Sequence, residues 1–426
     1  MLSKFLASST YRPAGSFSER WIFEADTTYE DFGTAIAVDG DGNFYIGGYT
    51  NYPENAVVVP RMIVIKVNKY GAVQWLRRVQ NVSYIQGLAC DSSNNIYGVS
   101  SGSGTNYIFS MTPAGGFRWQ QSISSAVTLL RDVTVDSSGN TYVCGRFDYK
   151  ALLLKYNSSG VLQWQVTLDY ASSSSSRPEE FTRVTSDANG NVYAAGKYYK
   201  SSVYNTAAVL AKYNSSGTLQ WQRYLDSTSS YPDYFNCVSA NTSSGDIVVA
   251  GKTSAGVAVA KYTSNGTLSW TRRVTGGSPL TPNAIKSLPS VTLVLATENP
   301  TTSPIDSNIV IFAFNNSGGF LWQRRLKTTG YDIGAALTAT DGVLYYMVGN
   351  RDVYPNKNIL ATSFPSDGSL TDTYGSFTYE SASYTVESYT WDTGVAPMSA
   401  GTSSLTSSTV SNSTEGVTIS TSLISF

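Results

Sequence analysis

Short apolar runs separated by small polar clusters follow one another along most of the chain. Near the start, Thr34–Val38 is apolar, Asp39-Gly40-Asp41-Gly42-Asn43 is a turn cluster, and Phe44–Tyr49 is apolar again. A longer stretch leads to Met62–Val67, then Lys69-Tyr70-Gly71, then Val73–Val79 around Trp75. Runs this short, bounded by Gly, Asn and Asp, predict strands joined by tight turns and not helices. The four-run pattern recurs, and six copies end on a tryptophan: Trp75, Trp119, Trp164, Trp221, Trp270 and Trp322. A seventh copy has Asp341-Gly342, Leu344–Gly349 and Ile359–Phe364, with Asp372 where the tryptophan is due.

The register is strict. Nine residues before the six tryptophans stand Lys66, Ser110, Lys155, Lys212, Lys261 and Ala313. A central Gly in that gap reads as strand, tight turn, strand. Units of about 45–55 residues with four strands each are the signature of propeller blades. One blade cannot cover both faces of its own sheet, so blades stack around an axis and the ring closes. The expected fold is all-β: a seven-bladed β-propeller of four-stranded blades over residues 17–375. Residues 1–16 form an N-terminal arm, and 376–426 an extended Ser/Thr-rich tail. Trp21 stands outside any complete unit, so the strand around it is expected to complete the last blade by pairing near 359–364. Residues 369–375 are the competing candidate for that edge.

Turns between first and second strands, and between third and fourth, are short and nearly constant. The other connections vary: 50–61, 169–180, 198–206, 226–234, 298–307 and 350–357. These all belong to one face of a propeller, and varying loops on a rigid scaffold are where binding concentrates. They carry Tyr52, Tyr170, Tyr198, Tyr199, Tyr204, Tyr231, Tyr234 and Tyr354, the candidate binding residues, because tyrosine among small polar residues gives adaptable contact surface. The tryptophans, Trp21 included, read as scaffold that packs blade to blade.

Composition narrows the chemistry. The net charge of −1 with 14% charged residues gives no electrostatic case for nucleic acid or an anionic membrane. The chain has no histidine, which excludes a Ser–His–Asp triad, a Cys–His dyad and a histidine zinc site. Three scattered cysteines, Cys90, Cys144 and Cys237, are no disulfide framework and read as buried thiols of inner strands. The first residues turn polar at Ser8, too early for a secretory signal, and no stretch is long enough to span a bilayer as a helix.

The Asp39–Asn43 cluster has the start of an acidic calcium loop but lacks the later bidentate carboxylate, so turn chemistry is the reading. Arg77-Arg78, Arg223, Arg272-Arg273 and Arg324-Arg325 follow the tryptophans and are expected on outermost strands, where charge discourages edge-to-edge pairing. The recurrent lysines are expected to pair with blade carboxylates or to lie between blades. Arg146, Lys197 and Lys252 follow second-strand glycines at matching positions and approach the channel mouth. No catalytic, cofactor or metal residues are assigned. The tail is about half Ser and Thr, with charges only at Glu380, Glu387, Asp392 and Glu415. Its apolar residues are too sparse for a core, so it is either disordered or an arm that orders against a partner, a second copy included.

Asp-Ser-Ser-Gly-Asn-x-Tyr-Val-x-Gly (136–145) and Lys-Tyr-Asn-Ser-Ser-Gly-x-Leu-Gln-Trp (155–164) together resemble bacterial β-propeller repeats of the SBBP class, over roughly residues 17–375. The layout, a repeat propeller followed by a Ser/Thr tail with Leu405-Thr406-Ser407-Ser408-Thr409, resembles virion-associated propeller proteins of tailed marine phages. That resemblance implies a non-enzymatic virion protein of tail, fibre or capsid surface, assembled in the host cytoplasm. Its partners would be other virion proteins, through arm or tail, and a host-surface glycan or protein. The alternatives are a bacterial surface or secreted adhesin, which requires an export signal, and a propeller enzyme such as a quinoprotein or lyase, which requires convergent ligands at the channel.

Overall fold

The computed structural model describes residues 21–425 except 27–28, 55–56, 80–81, 83, 103–104, 125–127, 170–177, 200–205, 227–233, 242, 254–255, 277, 300–306, 328–331, 340–343, 354–355, 370–371, 375–376, 389–391, 395–398, 403–407, 410–413 and 417–419. Seven antiparallel sheets form the blades of a seven-bladed β-propeller. The first blade runs Asp31–Val38, Phe44–Glu54, Val57–Val67 and Val73–Val79, each strand pairing with the next. Five more blades repeat this order. The seventh takes three strands from residues 333–365 and its fourth, Trp21–Asp26, from the other end of the chain. There Trp21 stands opposite Ser363 and Ala25 opposite Ile359. The first strand therefore closes the ring as the isolated tryptophan implied. Residues Asp372–Tyr374 lie instead at the edge of blade six, against Thr378 and its neighbours.

The core is a set of clusters between neighbouring blades. One joins Cys144, Leu153 and Leu168 of blade three to Val184, Ala194 and Val209 of blade four, all essentially without solvent contact. The second and third strands are buried on both faces, which is why they read as continuous apolar runs. Cys90, Cys144 and Cys237 are free thiols. Cys144 lies on a second strand, not an innermost one.

Two of the expected loops are extended hairpins. Phe44–Glu54 pairs with Val57–Val67 out to Glu54 opposite Val57, and Leu344–Val353 pairs with Asn356–Pro365 out to Val353 opposite Asn356. Tyr52 is thus a strand residue, opposite Val59. The β-branched run Val57–Val58–Val59 and the backbone bonding of a two-strand arm outweigh the polar, proline-bearing composition that suggested a loop.

The largest departure from expectation is the tail. Short strands from it add to the outer edge of the blades in descending order. Phe377–Ser381 pairs with blade six, Thr385–Ser388 with five, Asp392–Gly394 with four and Ser399–Thr402 with three. Ser408–Thr409 then pairs with blade two, Thr414–Gly416 with one, and Ser420–Ser425 with Trp21–Asp26 of blade seven. The described tail is therefore a belt around its own propeller. Each outer strand would otherwise present a row of unpaired N–H and C=O groups, and the belt pairs with part of each row.

The belt advances seven residues per blade. In six blades the position two residues after the tryptophan faces Ser381 (from Arg324), Ser388 (from Arg272), Thr402 (from Val166), Thr409 (from Gln121), Gly416 (from Arg77) and Leu423 (from Phe23), and in blade four Tyr224 faces Gly394 in the same frame. The second arginines of the pairs then stand opposite tail glutamates: Arg325 opposite Glu380, Arg273 opposite Glu387 and Arg78 opposite Glu415. Arg325 and Glu380 make a 3.4 Å ion pair. These arginines were expected to repel edge partners. Their placement does the reverse, since opposite charges on directly facing strand positions favour that pairing.

Candidate functional site

In all seven blades the pairing of the first two strands slips by one residue at the same place. The slips fall between Gly33/Ala35, Ile85/Gly87, Leu130/Asp132, Phe181/Arg183, Phe235/Cys237, Pro282/Ala284 and Gly334/Ala336. A bulge leaves one residue unpaired and re-aims its side chain. The bulged residues are Thr34, Gln86, Arg131, Thr182, Asn236, Asn283 and Ala335, six of them polar, and they ring the channel near its mouth. Each sits close to the start of its innermost strand, so this mouth opens on the face of the varying connections.

Several bulge residues bind the next blade. Thr34 donates to the Ile85 carbonyl (2.8 Å), Thr182 to that of Phe235 (2.6 Å) and Asn236 to that of Pro282 (2.9 Å). Arg131 instead reaches the Glu180 carboxylate at 3.1 Å. Below the ring the innermost strands enclose a channel of about 280 Å³, with Asp132, Arg183 and Lys286 among its lining. Burial raises the Asp132 pKa against the opposing pull of Arg183.

At the mouth lies a pocket of about 370 Å³ walled by Arg131, Glu180, Arg183, Lys197, Tyr234 and Asn236, among others. It holds three cations against one carboxylate. Glu180 is nearly buried and already shared by Arg131 and Lys197, the latter at 3.4 Å. Burial would raise the Glu180 pKa, but Arg131 first and Lys197 next outweigh it and hold it below its usual value. Arg183 donates to its neighbour Thr182's carbonyl (2.8 Å) and lines both pocket and channel. Arg146 adds positive charge near Glu180, and its buried Nε meets no hydrogen-bond partner among the described residues.

The expected site residues divide. Tyr234 lines the pocket. Tyr199 is half-buried at the end of its strand. Tyr198 is only 2% exposed and packs into the core between blades three and four, so strand alternation turns it away from the loop face. Tyr52 has its backbone in the first-blade hairpin. Tyr170, Tyr204, Tyr231 and Tyr354 lie outside the described residues. Of the three cations expected near the mouth, Lys197 lines the pocket, Arg146 adjoins it, and Lys252 pairs by backbone with Tyr234. The bulge residues were missed. Their signal is a recurrent polar residue after an apolar or glycine position at the start of each unit, as in Leu130-Arg131, Phe181-Thr182 and Phe235-Asn236.

The opposite face is occupied by scaffold bonding. The Trp164 indole N–H and the Lys155 ammonium both donate to the Ser215 carbonyl of the next blade, at 3.1 and 2.9 Å. Trp221 and Lys212 do the same to Ser264, and Trp270 and Lys261 to Asn316. Lys261 also meets a carboxylate, Asp246 at 2.9 Å. The first arginines, Arg77, Arg223, Arg272 and Arg324, stack over the preceding tryptophans at 5.3–5.9 Å. Asp39 accepts from the Asp41 and Asn43 backbone through Oδ1 and from Tyr45 through Oδ2, so its oxygens hold the turn. No group of three or more His, Cys, Asp or Glu side chains suited to a metal comes together among the described residues.

No family model and no curated protein matches this chain. Solved propellers do match in shape. The U3-55K structure aligns with a TM-score of 0.53 at 8% identity over 80% of this chain and 98% of its own. The RRP9 WD40 repeats align at 0.53 and 8%, covering 80% and 96%. A virginiamycin B lyase from Staphylococcus aureus, solved with quinupristin, aligns at 0.50 and 11%, covering 80% and 99%. At such identities the likeness establishes the propeller fold alone, a fold that serves both interaction proteins and enzymes. Among the described residues no helix is long and apolar enough to cross a membrane.

Proposed function

We propose that this chain is a non-enzymatic structural protein of a tailed-phage virion, placed on the tail, a fibre or the capsid surface, whose loop face attaches to a host surface or to other virion proteins. One observation carries the reading: the two faces are used differently. The constant turns of one face are tied up in tryptophan and lysine bonds between blades. The outer strands carry the belt. The face of varying connections is left to meet a partner, with a charged pocket at its centre. The propeller-plus-tail layout supplies the virion setting.

Immunogold electron microscopy with an antibody to this chain tests the setting. Label on intact particles purified from an infected culture is the expected result. Label confined to the soluble fraction, or to the surface of uninfected bacteria, would overturn it, as would turnover of a sugar by the purified protein.

A further inference from the structure

The mouth pocket has more positive charge than its own carboxylate neutralises. Arg131 and Lys197 both contact Glu180, while Arg183 lines the pocket with the buried Asp132 of the channel as its opposing charge and a hydrogen bond to the Thr182 carbonyl. Arg146, behind them, has a buried N–H with no partner among the described residues. Guanidinium and ammonium groups around a recess are suited to a carboxylate, which takes charge-assisted hydrogen bonds from both. The remaining walls are not those of a bare ion site. Tyr234 offers an aromatic ring, and Asn236 and Asn283 offer amide groups, while the Thr182 hydroxyl is committed to the Phe235 carbonyl. A volume of about 370 Å³ takes one small ring with its substituents and is too small for a folded protein surface.

We infer that this pocket binds the carboxylate-bearing sugar unit of an acidic polysaccharide, with Arg183 and Lys197 on the carboxylate, Tyr234 against the sugar ring and Asn236 at its hydroxyls. The pocket's position at the centre of the loop face lets the rest of the polysaccharide leave along that face. This names the ligand class for the attachment role proposed above and rests on it for its setting. The binding itself is a property of the purified chain, so failed particle labelling and failed binding are separate results.

The test is calorimetric titration of the full-length protein with short oligogalacturonates, with their neutral methyl esters, and with inorganic phosphate. The expected result is saturable binding of the acid form, none of the ester, and phosphate acting only as a weak competitor. Lys197→Gln leaves Glu180 its Arg131 partner and should weaken the acid form roughly tenfold. Lys69→Gln, the same charge change on the other face, should leave it unaltered, and circular dichroism checks that both variants are folded. Equal binding of acid and ester would remove the role of the carboxylate. Phosphate binding that the acid does not compete with would assign the pocket to phosphate and overturn the sugar. Absence of acid binding, or equal loss in both variants, would sink the proposal.

Discussion

The six tryptophans from Trp75 to Trp322 each lie against a glycine of the next blade's last turn. A Cβ built on Gly160 would come within 2.6 Å of the Trp119 ring, and Gly160 has φ of +78°. Gly190 has nearly the same φ, +74°, but its Cβ would meet nothing closer than 3.6 Å. The two positions separate backbone strain from blade packing. Gly190→Ala should cost about 1 kcal/mol, the usual penalty for a left-handed non-glycine residue. Gly160→Ala should cost about 2–3 kcal/mol, because the indole must also move. Urea unfolding of both variants reads the difference, and equal losses would mean that the tryptophan contact contributes nothing. The Lys-Tyr-Asn-Ser-Ser-Gly-x-Leu-Gln-Trp stretch was legible as scaffold at this level because the glycine, the lysine and the tryptophan each recur at fixed spacing. The bulge residues were harder to see. Thr, Gln, Arg, Asn and Ala share no side-chain chemistry, and only the backbone slip gives them a common role.

Among elements, the belt strands are individually weak, some only two or three residues long. Their register comes from the partner edge. Arg78 opposite Glu415 is one such instruction, distant in sequence from the other pairs. Reversing Arg78 to Glu should loosen the belt at blade one, and adding Glu415→Arg should restore it. A double-mutant cycle on thermal stability should give a coupling of about 0.5 kcal/mol, the scale of an exposed facing pair. Zero coupling would show that the facing charges do not select the register. A trace of the belt lies in the sequence. Phe377, Tyr384, Trp391, Met398, Leu405, Ile419 and Phe426 share one seven-residue frame, interrupted only by Asn412. Read as composition, the tail is Ser/Thr-rich with too few apolar residues for a core. Read in sevens, it has one large apolar residue at every step but that of Asn412. Tyr384 is buried against Phe312 at 5.4 Å between ring centroids and under Arg325.

For the whole molecule, the first and last described strands meet on one blade. Trp21–Asp26 pairs with Asn356–Pro365 on one side and with Ser420–Ser425 on the other. Ring closure and belt closure therefore share a strand. Removing residues 1–26 should expose the blade-seven edge and release the end of the belt together. Hydrogen exchange should then show lost protection at 359–363 and at 420–425, with inner strands of blades three and four retained. Protection persisting at 420–425 would show that the belt's end is held by something other than the first strand.

Blade number, strand order, the scaffold role of the tryptophans and closure by the first strand could all be read from residue order. Each is a repeated local pattern, and repetition makes a pattern visible even where single-strand preferences are weak. The pocket and the belt needed the folded ring. Arg131, Glu180, Arg183, Lys197 and Tyr234 come from three blades, and only curvature of the array brings their side chains to one mouth. The belt depends on unpaired backbone groups at seven outer edges. Those groups are common to every residue and leave no mark in side-chain composition, so their demand for a partner appears only once the blades stand side by side.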